Sequence, residues 1–351
     1  MSLGKVIVWT NAYNAEKTLA RAMDSILNQT YQDWIYLVLD NGSTDDTRYI
    51  ITDYAARDSR IVALAREHNE INCGSYIEAV WQTTAARWYC HLDADDEYDV
   101  TFLEKMVVFV AENRLDIAAA GYEKIDGTTG GMIKRRSAGE NYILEGRGFA
   151  DKFIQYRGFT LFLWAKLYSI EFLVSTGRSQ RWKEWNHFAQ DSRFVLCQCF
   201  GNAERAGIFG ESLYKYYQYP KHYNAMEIEG WLISFKQLYF ATRDYLFKFG
   251  GLSKENKDFL QAILMSIIDD NVQIIKRSNF GLGKKLHFLL SIFSDPDTQT
   301  MFRYQADPKF RNLAARTEYK REIISWIEAQ ESVMQYKATV DRIKHSLEGA
   351  G

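Results

Sequence analysis

An α/β fold, with a mostly parallel sheet and helices on both faces, is predicted by three observations. Strand-like runs alternate with amphipathic helical stretches over the first 120 or so residues. Those strands are apolar nearly throughout instead of alternating, as strands buried on both faces are. Polar loops follow three of them, and ligands of such sheets bind outside the carboxyl ends of the strands.

The first strand is Lys5 to Thr10 (KVIVWT), broken by Asn11-Ala12-Tyr13-Asn14. Glu16 to Gln29 reads as a helix with Leu19, Met23, Ile26 and Leu27 on one face. Trp34 to Leu39 is the second strand, and it stops at Asp40-Asn41-Gly42-Ser43-Thr44-Asp45-Asp46, a loop and capping signal. A helix at Thr47 to Arg57, a strand at Ile61 to Ala65, a helix at Ser75 to Arg87 and a strand at Trp88 to Leu92 continue the alternation. Loops 10–14, 40–46 and 93–96 therefore leave the sheet at one edge.

Beyond Ile117 to Tyr122 the pattern becomes irregular. Residues 126–140, rich in Gly, Thr, Lys and Arg, read as a hairpin or loop. Their triplet Lys134, Arg135 and Arg136 either clamps phosphate or is simply solvated. Residues 160–175 and 188–218 return to strand and helix. After residue 226, Gly230 to Phe249, Lys254 to Arg277 and Arg311 to Leu347 read as helices. The expected division is a catalytic domain over 1–225 and a helical region over 226–351, serving acceptor recruitment or pairing of two copies.

A hydrophobic content of 47% and an aromatic content of 15% in 351 residues support a sizeable core. The net charge of −2 offers nucleic acid no global attraction. Cysteines at 73, 90, 197 and 199 match neither a zinc framework nor a disulfide scaffold, so a reduced, cytoplasmic setting is expected. No run approaches the roughly 20 apolar residues of a membrane span, and no signal peptide is visible. Peripheral membrane contact is left to the C-terminal half.

Asp93, Asp95 and Asp96 follow the aromatic run Trp88-Tyr89-Cys90-His91-Leu92. Carboxylates so clustered need solvent, a proton or a cation to offset their repulsion. Mg²⁺ or Mn²⁺ would take one or two of them together with substrate phosphates. The alternative is an acidic turn capping a helix at Val100 to Glu112.

KVIVWTNAYNAEKTLARAMDSILNQTYQDWIYLVLDNGSTDDT, the Asn69–Gly74 loop and LDADD together resemble the family-2 glycosyltransferases and their Rossmann-like GT-A fold. LWAKLYSIEFL and AQDSRF resemble that family's acceptor-side segments. The resemblance covers roughly residues 5 to 220 and does not extend to the helical tail. It implies an inverting enzyme that moves a sugar from a nucleoside-diphosphate sugar to a hydroxyl acceptor of a glycan or glycolipid, with Mn²⁺ or Mg²⁺.

By the same resemblance, Ala12, Tyr13 and Asn14 line the base pocket, and a tyrosine ring there stacks on a planar base. Asp40 contacts base or ribose. Asn41 stands where the family usually has an aspartate that accepts the uracil N3–H. An amide oxygen also accepts that bond, so UDP remains the foremost donor nucleotide, with guanosine and thymidine gaining ground. Asp93 faces the ribose or the metal's water, Asp95 ligates the metal, and His222 is either a further ligand or a solvent-facing loop residue. Asp191 is the catalytic base, with Gln190 in place of the family's glutamate; its other reading is an N-cap for a helix from Ser192 to Phe200. Trp182, Trp185 and His187 suit either sugar stacking or the core.

The first turn lacks glycine, which excludes the G-x-G-x-x-G dinucleotide fingerprint, and no phosphate-binding P-loop is present. A nucleotidyltransferase or a non-catalytic sugar-nucleotide-binding protein remains the alternative.

Overall fold

The computed structural model describes residues 3–70, 85–176, 190–219, 225–304, 307–310 and 316–348. The chain divides into two compact units, Met1–Trp185 with Asp191–Pro220 and Asn186–Gln190 with Lys221–Gly351.

The first unit is a mixed α/β domain. Its strands are β1 (Val6–Ala12), β2 (Trp34–Asn41), β3 (Ile61–Arg66), β4 (Trp88–His91), β5 (Glu97–Tyr98), β6 (Ile117–Asp126), β7 (Met132–Arg136), β8 (Tyr142–Glu145), β9 (Lys166–Ser169) and β10 (Arg205–Gln218). They form one sheet in the order β3-β2-β1-β4-β9-β6-β10-β5, with β7 beside β6 and β8 beside β10. The run β3-β2-β1-β4 is parallel. β9 then enters antiparallel between β4 and β6. Residues 126–140 contribute the antiparallel strand β7, so this segment is a hairpin on β6.

β1 occupies the middle of the parallel run, and Val6, Ile7, Val8 and Trp9 are all fully buried. That two-sided burial explains its unbroken apolar sequence. The helix Leu19–Leu27 sends Leu19, Ala22, Met23 and Ile26 into the core. The helix Phe102–Asn113 adds Phe102, Met106, Val107 and Val110. The register Ala12↔Asp40 and Trp9↔His91 brings the carboxyl ends of β1, β2 and β4 to one edge. The Thr10 hydroxyl ties that edge together, donating to the Leu92 carbonyl (2.7 Å) and sharing a hydrogen bond with Tyr36 (2.9 Å).

The second unit is helical. Its helix Lys254–Arg277 has the termini its sequence dictates. Ser253 Oγ accepts the Asn256 N–H (3.1 Å), Glu255 lies in the first turn, and Lys276 and Arg277 lie in the last. Leu264, Ile268, Val272 and Ile275 pack with Leu286, Leu289 and Phe293 of the helix Leu282–Phe293, and Tyr239 packs against this core. The helix expected over Arg311 to Leu347 is instead two, Arg316–Glu328 and Lys337–Glu348. The polar stretch Gln330-Glu331-Ser332 interrupts the apolar stripe, and Ser332 adopts a left-handed φ of 62° that no helix continues through. The resulting reversal lets Ile323 and Ile327 share a core with Val340, Ile343 and Leu347. No described helix is long and apolar enough to cross a membrane.

Candidate active site

At the carboxyl edge of β1 and β4 lies a cavity of about 730 Å³. Asn11, Tyr13 and Asn14 line one side of it, Thr44 and Asp45 lie next to them, and Asp93 and Asp95 line another. The loop after β1 is laced to the loop after β2. Asn14, at a left-handed φ of 49°, accepts the Thr44 N–H (2.9 Å) on its amide oxygen. Its own N–H donates to Ser43 Oγ (3.0 Å), and the Ala15 N–H donates to Thr47 Oγ1 (2.7 Å). Asparagine tolerates this backbone region better than most residues because its side chain bonds locally. Tyr13 is half-exposed at 47%, whereas Ala12 is fully buried and has only backbone to offer.

Asp40 and Asn41 do not line the cavity. Asp40 is 1% exposed and accepts the Ser43 N–H (2.9 Å) on one oxygen and Arg48 Nε–H (2.9 Å) on the other. Asn41 Nδ2 donates to Asn69 Oδ1 (2.9 Å) and the Glu70 carbonyl (2.8 Å), while its Oδ1 accepts the Glu70 N–H (3.2 Å). Both side chains are committed to shaping the edge of the pocket.

The three acidic residues after β4 take different positions. Asp93, Asp95 and Asp96 each place a carboxylate oxygen within 4.8 Å of the others. Asp96 is fully buried, accepting the Tyr214 hydroxyl (2.7 Å) on one oxygen and the Tyr217 N–H (2.8 Å) on the other. Burial, then repulsion from Asp93 and Asp95, raises its pKa well above the usual carboxylate range. It anchors the loop to β10. Asp93 and Asp95 are partly exposed and reach the cavity. Two carboxylates at an open, polar edge suit a hard divalent cation that completes its shell with phosphate oxygens and water. His91 Nε2 lies 2.9 Å from Asp93 Oδ1 and orients it.

Arg21 secures the same loop from below. Its Nη2 donates to the Asp95 carbonyl (2.5 Å) and the Tyr219 hydroxyl (3.3 Å), and its Nε sits 3.2 Å from Glu97. The guanidinium lies over the Tyr217 ring at 3.7 Å. Arg21→Ala should weaken divalent-cation binding about 10- to 100-fold, the usual effect of removing a group that orients a ligand-bearing segment. Calorimetry with Mn²⁺ on the folded variant checks this, and an unchanged affinity would discount the clamp.

Asp191 lies in the helix Gln190–Arg193, which runs into the π-helical segment Phe194–Phe200. It occupies the first turn instead of capping a helix that begins at Ser192. Ser192 Oγ donates to the Leu161 carbonyl (2.6 Å) and holds this turn in place. Asp191 is solvent-exposed. Desolvation, then repulsion from Asp93, raises its carboxyl to about 6, against the attraction of His91 and Lys166. Solvent contact on its open side works against that rise.

Lys166 escaped the sequence reading. It is 2% exposed within β9, and its Nζ donates to the Trp164 carbonyl (2.9 Å). Burial lowers its ammonium to about 7, opposed by Cys199 and Asp191. Ala165, immediately before it, has a left-handed φ of 56°, a strained conformation for a residue with a Cβ. The available signal was a lysine inside the otherwise apolar run Leu163 to Tyr168. His91 and Arg21 gave none, because their roles depend on partners distant in sequence or on loop geometry. His222, Trp182, Trp185, His187 and residues 71–74 of the expected Asn69–Gly74 loop lie outside the described residues. So does most of the helix expected at Ser75 to Arg87.

Known proteins resemble this architecture. The model of glycosyl transferase family 2 matches residues 7–170. UDP-Glc:alpha-D-GlcNAc-diphosphoundecaprenol beta-1,3-glucosyltransferase WfgD of Escherichia coli is 32% identical over 115 residues, which are 33% of this chain and 44% of that protein. The chain thus spans less than half the length of this curated relative. The crystal structure of S. aureus TarS 1-349 in complex with UDP superposes with a TM-score of 0.59 at 14% identity, over 98% of this chain and 90% of that one. Mannosyltransferase PcManGT from Pyrobaculum calidifontis, in complex with GDP-Man and Mn²⁺, gives 0.51 at 11% identity, over 99% and 87%. At these identities the structural likeness is one of fold.

Proposed function

We infer that this chain, whose residues 7–170 belong to glycosyl transferase family 2, is a divalent-metal-dependent, inverting glycosyltransferase. It moves a sugar from a nucleoside-diphosphate sugar, UDP foremost, to a hydroxyl of a glycan or lipid-linked acceptor. The observation that carries this reading is one cavity lined by Tyr13 and Asn14 on one side and by Asp93 and Asp95 on another, with the Asp191 carboxyl close enough to Asp93 to feel its charge.

Tyr13 and Asn14 would receive the base, and Asp40 would act through the Ser43 turn that it holds. Asp93 and Asp95 would hold Mn²⁺ or Mg²⁺, and His222 is retained as a further ligand. Bound there, the metal supplies Lewis-acid neutralisation of the departing diphosphate. Asp191 takes the proton of the acceptor hydroxyl as that oxygen bonds to the anomeric carbon. The bond from that carbon to the diphosphate oxygen breaks on the opposite face, so the anomeric configuration inverts. Solved relatives of the fold were captured with UDP and with GDP-Man and Mn²⁺, and WfgD's name gives it a diphosphate-linked lipid acceptor. A lipid-linked acceptor would bring this chain to a membrane surface, with the helical region 226–351 serving acceptor recruitment or self-association.

Nucleoside-diphosphate release from UDP- and GDP-sugars, with Mn²⁺ or with chelator, tests the reading. Metal-independent release, or none with any donor and acceptor, would overturn it. The pH dependence is a sharper check. Asp191 must be deprotonated to accept a proton, and its carboxyl is raised to about 6. Turnover should therefore be complete above that value. kcat/KM should then fall by about tenfold per pH unit below it. A cation held at Asp93 and Asp95 cancels the Asp93 repulsion, so saturating metal should move this acid limb downward. An acid limb unaffected by Asp191→Asn in the residual activity would remove Asp191 from the role.

A further inference from the structure

Among the described residues, two arginines beside the turn Arg157–Phe159 have no counterion. Arg157 is 5% exposed, and among the described residues its Nε has no hydrogen-bond partner. Among the described residues it donates Nη1–H to Thr160 Oγ1 at 3.3 Å. Arg136, the last residue of β7, also has a buried, unpartnered Nε. Its guanidinium lies against the turn Arg157–Phe159, 5.9 Å from the Phe159 ring. It lies so close to Gly158 that a Cβ there would collide with it. Neither arginine forms an ion pair among the described residues. Their neighbour in the triplet, Arg135, faces solvent and pairs with Glu123 (2.5 Å).

Arg157 is buried and Arg136 partly so, and two cations drawn together with little water around them are costly: each loses water and each repels the other. Burial, followed by repulsion from Arg136, lowers the Arg157 guanidinium to about 10, with Cys197 and Tyr156 acting in the opposite sense. An arrangement of this kind is stabilised when an anion arrives, and paired guanidinium forks match the oxygens of a phosphoryl group.

We propose that Arg136 and Arg157 form an anion-binding subsite that receives a phosphoryl group carried by the acceptor. Placement on the acceptor side follows from the turn they share. Leu161, shortly after Arg157, accepts the hydroxyl of Ser192, the residue next to Asp191. Neither arginine lines the cavity that contains Asp93 and Asp95, so the donor diphosphate has its own place. The acceptor assignment rests on the glycosyltransferase reading; the anion site itself does not.

The test uses the full chain in chelator, titrated with inorganic pyrophosphate by calorimetry, and UDP with Mn²⁺ on the same preparations. Wild type should bind pyrophosphate saturably. Arg136→Gln, whose side chain reaches the surface, should bind it at least about tenfold more weakly, the scale of a lost charge-assisted pair. Gly158→Ala, which displaces the guanidinium without removing its charge, should behave likewise. Arg135→Gln should match wild type, and UDP–Mn²⁺ affinity should be unchanged throughout. Equal pyrophosphate binding by wild type and Arg136→Gln overturns the subsite. Parallel loss of UDP–Mn²⁺ binding would mean that the arginines serve the donor, which overturns the acceptor assignment. A chain that binds pyrophosphate through Arg136 but transfers no sugar would keep the subsite while the glycosyltransferase reading fails. For the source of the phosphoryl group, a sugar linked to a short prenyl diphosphate should compete with pyrophosphate, whereas competition by orthophosphate alone would assign the site to free phosphate and overturn the acceptor role.

Discussion

Asp191→Asn should lower kcat by about 10³-fold while leaving the affinity for UDP and Mn²⁺ within about twofold, the pattern of a lost general base. The amide matches the carboxylate in size and still hydrogen-bonds, so the turn fixed by Ser192 and Leu161 should survive. It cannot take a proton. The neutral amide also removes one of the attractions felt by the buried Lys166 ammonium, so Lys166 should shed its proton more readily in the variant. Pre-steady-state measurement of sugar transfer with saturating donor gives kcat for the chemical step, and titration with UDP gives the affinity. If kcat falls by less than about tenfold, another group accepts the acceptor proton. If UDP affinity collapses with it, Asp191 is serving the fold of the pocket.

Asp95→Ala should act on the other half of the reaction. Asp95 is partly exposed beside the cavity, and its backbone carbonyl is gripped by Arg21. Losing the carboxylate removes one of the expected protein ligands, so Mn²⁺ affinity should drop by about 10²-fold or more and turnover at ordinary metal concentrations should vanish. The fold should hold, because the buried anchor of the loop is Asp96 with Tyr214 and Tyr217. Calorimetry with Mn²⁺ and a thermal melt separate the two outcomes. Full Mn²⁺-dependent activity in this variant would remove the metal from the position assigned to it.

The parallel core was legible because its cause is local. Val6 to Trp9 are apolar on both faces since both faces are covered, and that pattern is visible in a string of letters. The loops at the carboxyl ends were legible for the same reason, since a strand that stops in Asp, Asn and Gly announces a turn. The antiparallel entry of β9 between β4 and β6 was not, because a four-residue strand carries little period to read. The helix of Leu282–Phe293 was missed although its apolar residues are plentiful. The reversal at Ser332 was missed because one left-handed residue has no compositional mark. In the candidate site, residue types were readable and their division of labour was not. Asp96 lies beside Asp95 in sequence, yet contacts with Tyr214 and Tyr217 far along the chain take it out of the cavity.

The amide at position 41 has a consequence for nucleotide choice. It spends its donor on the Asn69 and Glu70 oxygens and its acceptor on the Glu70 N–H. A carboxylate there would turn an electron-rich oxygen toward two others and push the neighbouring segment away. The substitution read as favouring guanosine or thymidine beside uridine is thus a stitch in the rim, and in the proposed enzyme discrimination among bases would fall to Tyr13 and Asn14.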